Sequence, residues 1–209
     1  TARIQPNTAL FIGVILTLIG IAALYVINIK TAFFASVSIF LYACLYTPLK
    51  QKTSLSVFVG AFPGAIPFML GWVAATNEFG IEPGLLFMLQ FFWQFPHFWA
   101  IGWVMHDQYE NAGFKMLPSG KPDPTTAFQI VFYTFWTVLI SLLPAFQYTG
   151  QLCLTLPAAG AVGLLGVFFL YAAIQLMYLK TDPAARFLIR SSILYITGVQ
   201  LVYVLDKFI

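Results

Sequence analysis

Three groups of residues in this chain have the types and spacing for chemistry. Asp107 and Glu110 stand three apart in HDQYENAGFK. At that spacing they can share a helical face and offer hard oxygen ligands to Mg²⁺, which favours carboxylates together with substrate phosphates; the same pair also fits an ordinary solvated loop. His106, Tyr109 and Lys115 sit beside them. Lys50 and Lys52 follow Tyr46 in YTPLKQKT, where two ammonium groups can clamp a diphosphate or mark the cytoplasmic end of a span. His97 lies within FFWQFPHFWAIGW, away from any charge run. Its imidazole can ligate a metal or move a proton, or hydrogen-bond a neighbouring helix, for example at a carbonyl freed by Pro96.

The elements that must position these residues are membrane helices. Of the 209 residues 60% are apolar and 8% charged, against about 25% charged in soluble domains, so the chain has too few charges to coat a water-facing surface. Apolar runs of about the 20 residues a bilayer requires recur at Thr8–Asn28, Ala32–Thr47, Leu55–Ala75, Gly84–Met105, Thr125–Gln147, Leu154–Leu179 and Pro183–Leu205. None has the period-two alternation of a membrane barrel. The expectation is an all-α polytopic helix bundle with seven transmembrane helices, forming one domain over 1–209. Pro48 is expected to end the second span, Pro63, Gly64 and Pro67 to interrupt the third, and Pro96 to kink the fourth. If that fourth helix continues, His97, Ile101, Val104 and Gln108 form one stripe.

Charge placement orients the bundle. Arg3, Lys50, Lys52, Lys115, Lys121, Lys180, Arg186 and Arg190 fall on one side and only Lys30 and Lys207 on the other. The positive side is cytoplasmic, which puts the 48–54, 106–124 and 180–186 loops there. The 106–124 loop stands out as long and polar among short connections, a feature more often functional than decorative. Cys44 and Cys153 read as plain membrane-helix residues. No glycine-rich phosphate loop, dinucleotide fingerprint or paired-cysteine motif appears, and nothing points to a nucleic-acid partner. The 22 Phe, 10 Tyr and 5 Trp suit lipid and helix packing; some suit a flat macrocycle or a carbocation.

The segments YTPLKQKT (46–53), VGAFPGAIPFMLGW (59–72), WQFPHFWAIGW (93–103) and DQYENAGFKMLPSG (107–120) resemble the signature segments of the protohaem IX farnesyltransferase (haem O synthase) family of intramembrane prenyltransferases. The resemblance extends over essentially the whole chain. It implies a nine-helix bundle around a cavity open to lipid. It also implies transfer of a farnesyl group from farnesyl diphosphate to a vinyl group of haem b, giving haem O for haem–copper oxidases. Haem b is then a substrate rather than a cofactor, and Mg²⁺ accompanies the diphosphate. The implied site residues are Asp107, Tyr109 and His97 as catalytic groups, with Asp107 also a metal ligand, and Arg3, Tyr46, Lys50 and Lys115 as substrate-binding groups.

The implied setting is the inner (plasma) membrane of a bacterium, with haem A synthase as a downstream partner. Two departures accompany the resemblance. The family's NxxxDxxxD segment and two helices are expected upstream of residue 1, so seven spans stand for nine, and where many relatives carry an acid directly before the tyrosine this chain has Gln108. Three other readings fit the residues: a prenyltransferase acting on a quinone precursor; a transporter, since broken helices suit substrate pathways; and a purely structural membrane subunit, which leaves His97 and the 106–124 loop without a role. Against the transporter, the halves show no internal repeat, and the polar groups cluster at one membrane face.

Overall fold

The breaks between helices are short and each has a local chemical cause. This computed structural model describes residues 4–208. Helices α1 (Pro6–Ile27) and α2 (Ile29–Leu49) meet at Asn28. Its Oδ1 accepts the Thr31 N–H at 2.8 Å, capping α2, and its Nδ2 donates to the Val73 carbonyl of the next helix at 3.0 Å. Helix α3 (Leu55–Thr76) stops at Asn77, which adopts the left-handed conformation (φ 55°) that asparagine tolerates at a helix C-terminus. Helix α4 (Ile81–Val104) ends at Met105, and the short α5 (His106–Asn111) follows. Helix α6 (Pro124–Leu142) continues into a 3₁₀ turn at Leu143–Phe146, and α7 (Leu156–Leu179) and α8 (Asp182–Leu205) complete the described chain.

The expected all-α class therefore holds, and the seven long helices fall on the seven expected spans. Six of them are long and apolar enough to cross a membrane, which makes this a multi-pass helical bundle. The seventh, α4, carries Gln90, Gln94 and His97. At 24 residues, about 36 Å, it too exceeds a hydrocarbon core of about 30 Å. It is also the helix the others enclose, packing against α3, α6 and α8. Phe95 and Trp99 of α4 stack around Tyr133 of α6 at 4.5 and 5.1 Å. Helices α6, α7 and α8 approach closely where Gly166 meets Val138 and Gly198 meets Leu165, small residues serving at membrane interfaces as expected. At the other edge α1 buries no residue and shows Phe11, Leu16 and Leu18 to its surroundings, as a lipid-facing helix does.

Several local expectations are corrected. Helix α3 runs unbroken through Pro63 and Pro67. Pro67 has no N–H for the Pro63 carbonyl, and the Ser38 hydroxyl of α2 donates to that oxygen instead, at 3.1 Å. Helix α2 passes Pro48 and ends at Leu49 because it widens to a π-helix over Leu41–Tyr46. The Thr47 N–H there reaches back five residues to the Tyr42 carbonyl, an insertion of the kind that marks functional sites. Helix α4 keeps Pro96 inside one helix, which bears on its continuity and not on the expected kink. The stripe from His97 to Gln108 does not form, because Met105 leaves helical geometry and α5 starts afresh.

Candidate active site

The polar loops after α2 and α5 are joined. The Lys115 N–H donates to the Lys50 carbonyl at 3.2 Å, and the Lys50 ammonium lies 5.1 Å from the centre of the Phe114 ring, a cation–π contact. The strap that carries Lys115 is built locally. Gly113 takes φ 72°, a left-handed turn suited to glycine, and lets the Phe114 N–H return to the Tyr109 carbonyl at 2.8 Å. Leu117 is buried against Gly102 of α4, where an added Cβ would meet its side chain at 3.0 Å. The strap ends at Asp123, which caps α6 by accepting the Thr126 N–H at 2.8 Å and the Ser119 hydroxyl at 2.8 Å. The Asp123 carboxyl lies below the usual carboxylate range, chiefly because the Thr126 N–H donates to it, with the Ser119 and Thr126 hydroxyls assisting.

Two cavities flank this junction and share Met116. The smaller, about 370 Å³, is polar at its rim, with His106, Tyr109, Glu110 and Lys115 among its walls; His106 Nε2 stands 3.8 Å from Glu110. The larger, about 660 Å³, lies between α1, α2, α3 and α4 and is walled by Tyr46, Val57, Ile39 and Phe98 among others. That volume is in the range of small-molecule sites. Tyr46 stands at its mouth, one helical turn before Lys50, with its ring pressed on Gly60: a Cβ there would come within 2.7 Å of the tyrosine. On the opposite wall the Gln94 amide donates to the carbonyls of Ala61 and Gln90 at 2.9 and 3.2 Å, and its Oε1 rests on Gly64.

The structure thus places Tyr46 on the larger cavity, Tyr109 and Lys115 on the smaller, and Lys50, which lines neither, at the junction between them. It does not bring the other predicted residues to the same walls. Asp107 is exposed and lines neither cavity, whereas Glu110 lines the smaller one. No group of three His, Cys, Asp or Glu side chains that could hold a metal occurs among the described residues. Arg3 lies outside the described residues. His97 is half-buried on a neighbouring face of α4, stacked on Trp93 at 4.7 Å, with Nδ1 2.7 Å from the Ser192 hydroxyl of α8. That hydroxyl also reaches the Ile189 carbonyl at 2.7 Å; when it donates there, Nδ1 carries the hydrogen and Nε2 keeps a free lone pair.

Sequence inspection missed Gln94, Gly60 and Gly64. Their signals were legible: an amide at membrane depth and a GxxxG spacing in GAFPG.

Residues 1–194 match the UbiA prenyltransferase family. Several protoheme IX farnesyltransferases resemble the chain. That of Flavobacterium psychrophilum is 60% identical over all of this chain and 70% of the relative. That of Christiangramia forsetii is 59% identical over 99% and 69%, and that of Cytophaga hutchinsonii 38% identical over 98% and 71%. No solved structure matches. A continuous match over nearly the whole chain, carried by bundle, cavity and strap alike, places this protein in the UbiA prenyltransferase family.

Proposed function

We infer that this chain transfers the farnesyl group of farnesyl diphosphate to a vinyl group of haem b, forming haem O. The observation that carries the site assignment is the Lys115–Lys50 backbone bond, which joins two ammonium-bearing segments next to Tyr46 and Met116, both walls of the apolar cavity. Diphosphate leaves readily only when its charge is neutralised, and preorganised cations supply that electrostatically. The carbon–oxygen bond of the farnesyl ester breaks with its electron pair leaving on the diphosphate. The allylic cation that remains must be kept from water, and the larger cavity provides an apolar wall for the prenyl chain. The haem vinyl group adds to the cation, and water then completes the hydroxyethyl carbon, its proton passing to the departing diphosphate.

In this reading Lys50 and Lys115 grip the diphosphate, and Tyr46 and Tyr109 close over its inner side. Mg²⁺ accompanies the diphosphate and adds positive charge. The described residues do not fit a metal site of their own, since Asp107 is exposed and no three-ligand group forms. Charge neutralisation by this chain's residues therefore rests on the lysines. His97 lies three residues from Gln94, about 60° around α4, and offers its bare Nε2 to the macrocycle on that adjoining face. The lysine-rich loops face the cytoplasm by the positive-inside rule, in the inner membrane of a bacterium, and haem A synthase would take up the product.

Product analysis tests the assignment against a quinone-directed prenyltransferase. Membranes containing the protein, given farnesyl diphosphate with haem b or with an aromatic acid, should yield haem O from the first. Prenylation of the aromatic acid alone would refute the acceptor.

A further inference from the structure

The larger cavity has a measurable depth. Its innermost lining residues come from four helices: Thr17, Ser38, Gly64 and Gln94. They lie eleven, eleven, nine and ten residues from the helix ends Pro6, Leu49, Leu55 and Val104, all on the side of the bundle that carries Lys50 and Lys115. At 1.5 Å per residue the cavity therefore reaches about 14–16 Å inward, half of a hydrocarbon core of about 30 Å. An extended isoprene repeat advances about 5 Å, four carbon–carbon bonds of about 1.5 Å in zigzag. Three repeats fill this depth and a fourth does not fit.

At that inner level stands a fixed polar group. Gln94 is 4% exposed, and both hydrogens of its amide are committed, one to the Ala61 carbonyl of α3 and one to the Gln90 carbonyl of its own helix. Those two bonds lock the carboxamide across Gly64, where an added Cβ would lie 2.0 Å from Gln94 Oε1. Those bonds offset the cost of burying an amide in an apolar wall and hold the group in one position. Gly64 is small because the carboxamide occupies the space its side chain would take.

We propose that Gln94, seated on Gly64, is the chain-length stop of the prenyl site and selects a three-isoprene donor over a four-isoprene one. This rests on the assignment of the cavity to the prenyl chain of farnesyl diphosphate. One added hydrocarbon group in an apolar pocket discriminates by about 10–200-fold, so the effect of moving the stop is large enough to read.

The experiment compares kcat/KM for geranyl, farnesyl and geranylgeranyl diphosphates, with haem b as acceptor, in the membrane-embedded protein and two variants. Gln94→Ser removes the stop, and the preference for farnesyl over geranylgeranyl diphosphate is expected to fall at least about tenfold. Gly64→Ala pushes the carboxamide into the cavity and shortens it, so the preference should move toward geranyl diphosphate. The two variants act in opposite directions, which a general loss of folding cannot imitate. If wild type forms haem O and neither ratio moves, or both move the same way, the stop is wrong and the enzyme assignment stands. If wild type forms no prenylated haem from any of the three donors, the underlying assignment fails and takes the stop with it.

Discussion

The main-chain N–H of Lys115 donates to the main-chain carbonyl of Lys50 at 3.2 Å, across a separation of 65 residues in sequence. A backbone bond of this kind fixes the two segments whatever their side chains do. The anchor points of the two lysines are therefore set by the fold, and catalysis by prearranged charge begins from such fixity. The two lysines can be changed one at a time without removing the bond that sets them.

Gly60 should be intolerant of any side chain. A Cβ there would meet the Tyr46 ring at 2.7 and 2.9 Å, and overpacking of this kind costs about 1–3 kcal/mol. Gly60→Ala is expected to lower the thermal unfolding temperature in detergent and to impair turnover. Adding Tyr46→Ala should remove the clash, leaving the double variant no less stable than Tyr46→Ala alone. An additive loss would show that the ring does not rest on Gly60.

The strap's anchor has a defined pH response. Hydrogen bonds to the Asp123 carboxylate lower its pKa in the folded protein. Its contribution is therefore complete above the unfolded value of about 3.9 and is lost as pH falls through the lower folded value. Asp123→Ala should cost about 0.5–2 kcal/mol at neutral pH. Asp123→Asn, an equally good cap, should keep neutral-pH stability and flatten the acid side of the profile below about pH 4. Unfolding temperatures measured at pH 7 and pH 3 separate the three proteins, and an unchanged acid limb in Asp123→Asn would rule this cap out as its source.

In the proposed function His97 serves the haem. With Nδ1 bonded to Ser192, Nε2 is the nitrogen left for a bound macrocycle. His97→Phe should alter the visible absorption of haem b bound to the protein. Affinity for farnesyl diphosphate should stay within about twofold, since separated sites respond independently. A spectrum identical to wild type would remove His97 from the haem region.

Much of this architecture was legible in the sequence, and the failures have physical causes. Spans were readable because lipid leaves no choice: every backbone group must be bonded within a helix, so apolar length and polar punctuation are enough. Pro63 and Pro67 misled because their effect depends on a partner on the preceding helix, the Ser38 hydroxyl, which no local pattern reveals. Pro48 misled in the same way, since the π-helical turn that admits it has no strong sequence signature. In the site, Tyr46, Lys50, Tyr109 and Lys115 were found as charged or aromatic groups flanking spans. Asp107 and Glu110 were grouped by their spacing of three, yet only Glu110 reaches a cavity, because α5 begins anew at His106 and its rotation is set by Met105. Gln94 passed unnoticed beside His97, although an amide buried in a membrane helix is as informative as an imidazole.

The central claim, a single anion seat made by Lys50 and Lys115, is tested most directly by a double-mutant cycle on farnesyl diphosphate affinity. A hydrogen bond to a charged group contributes about 1.5–3 kcal/mol, so Lys50→Ala and Lys115→Ala should each weaken binding at least about tenfold. If both lysines grip one diphosphate, the double variant should lose measurably less or more than the sum of the single losses. Strictly additive effects, or an affinity unchanged by Lys50→Ala, would contradict a shared seat.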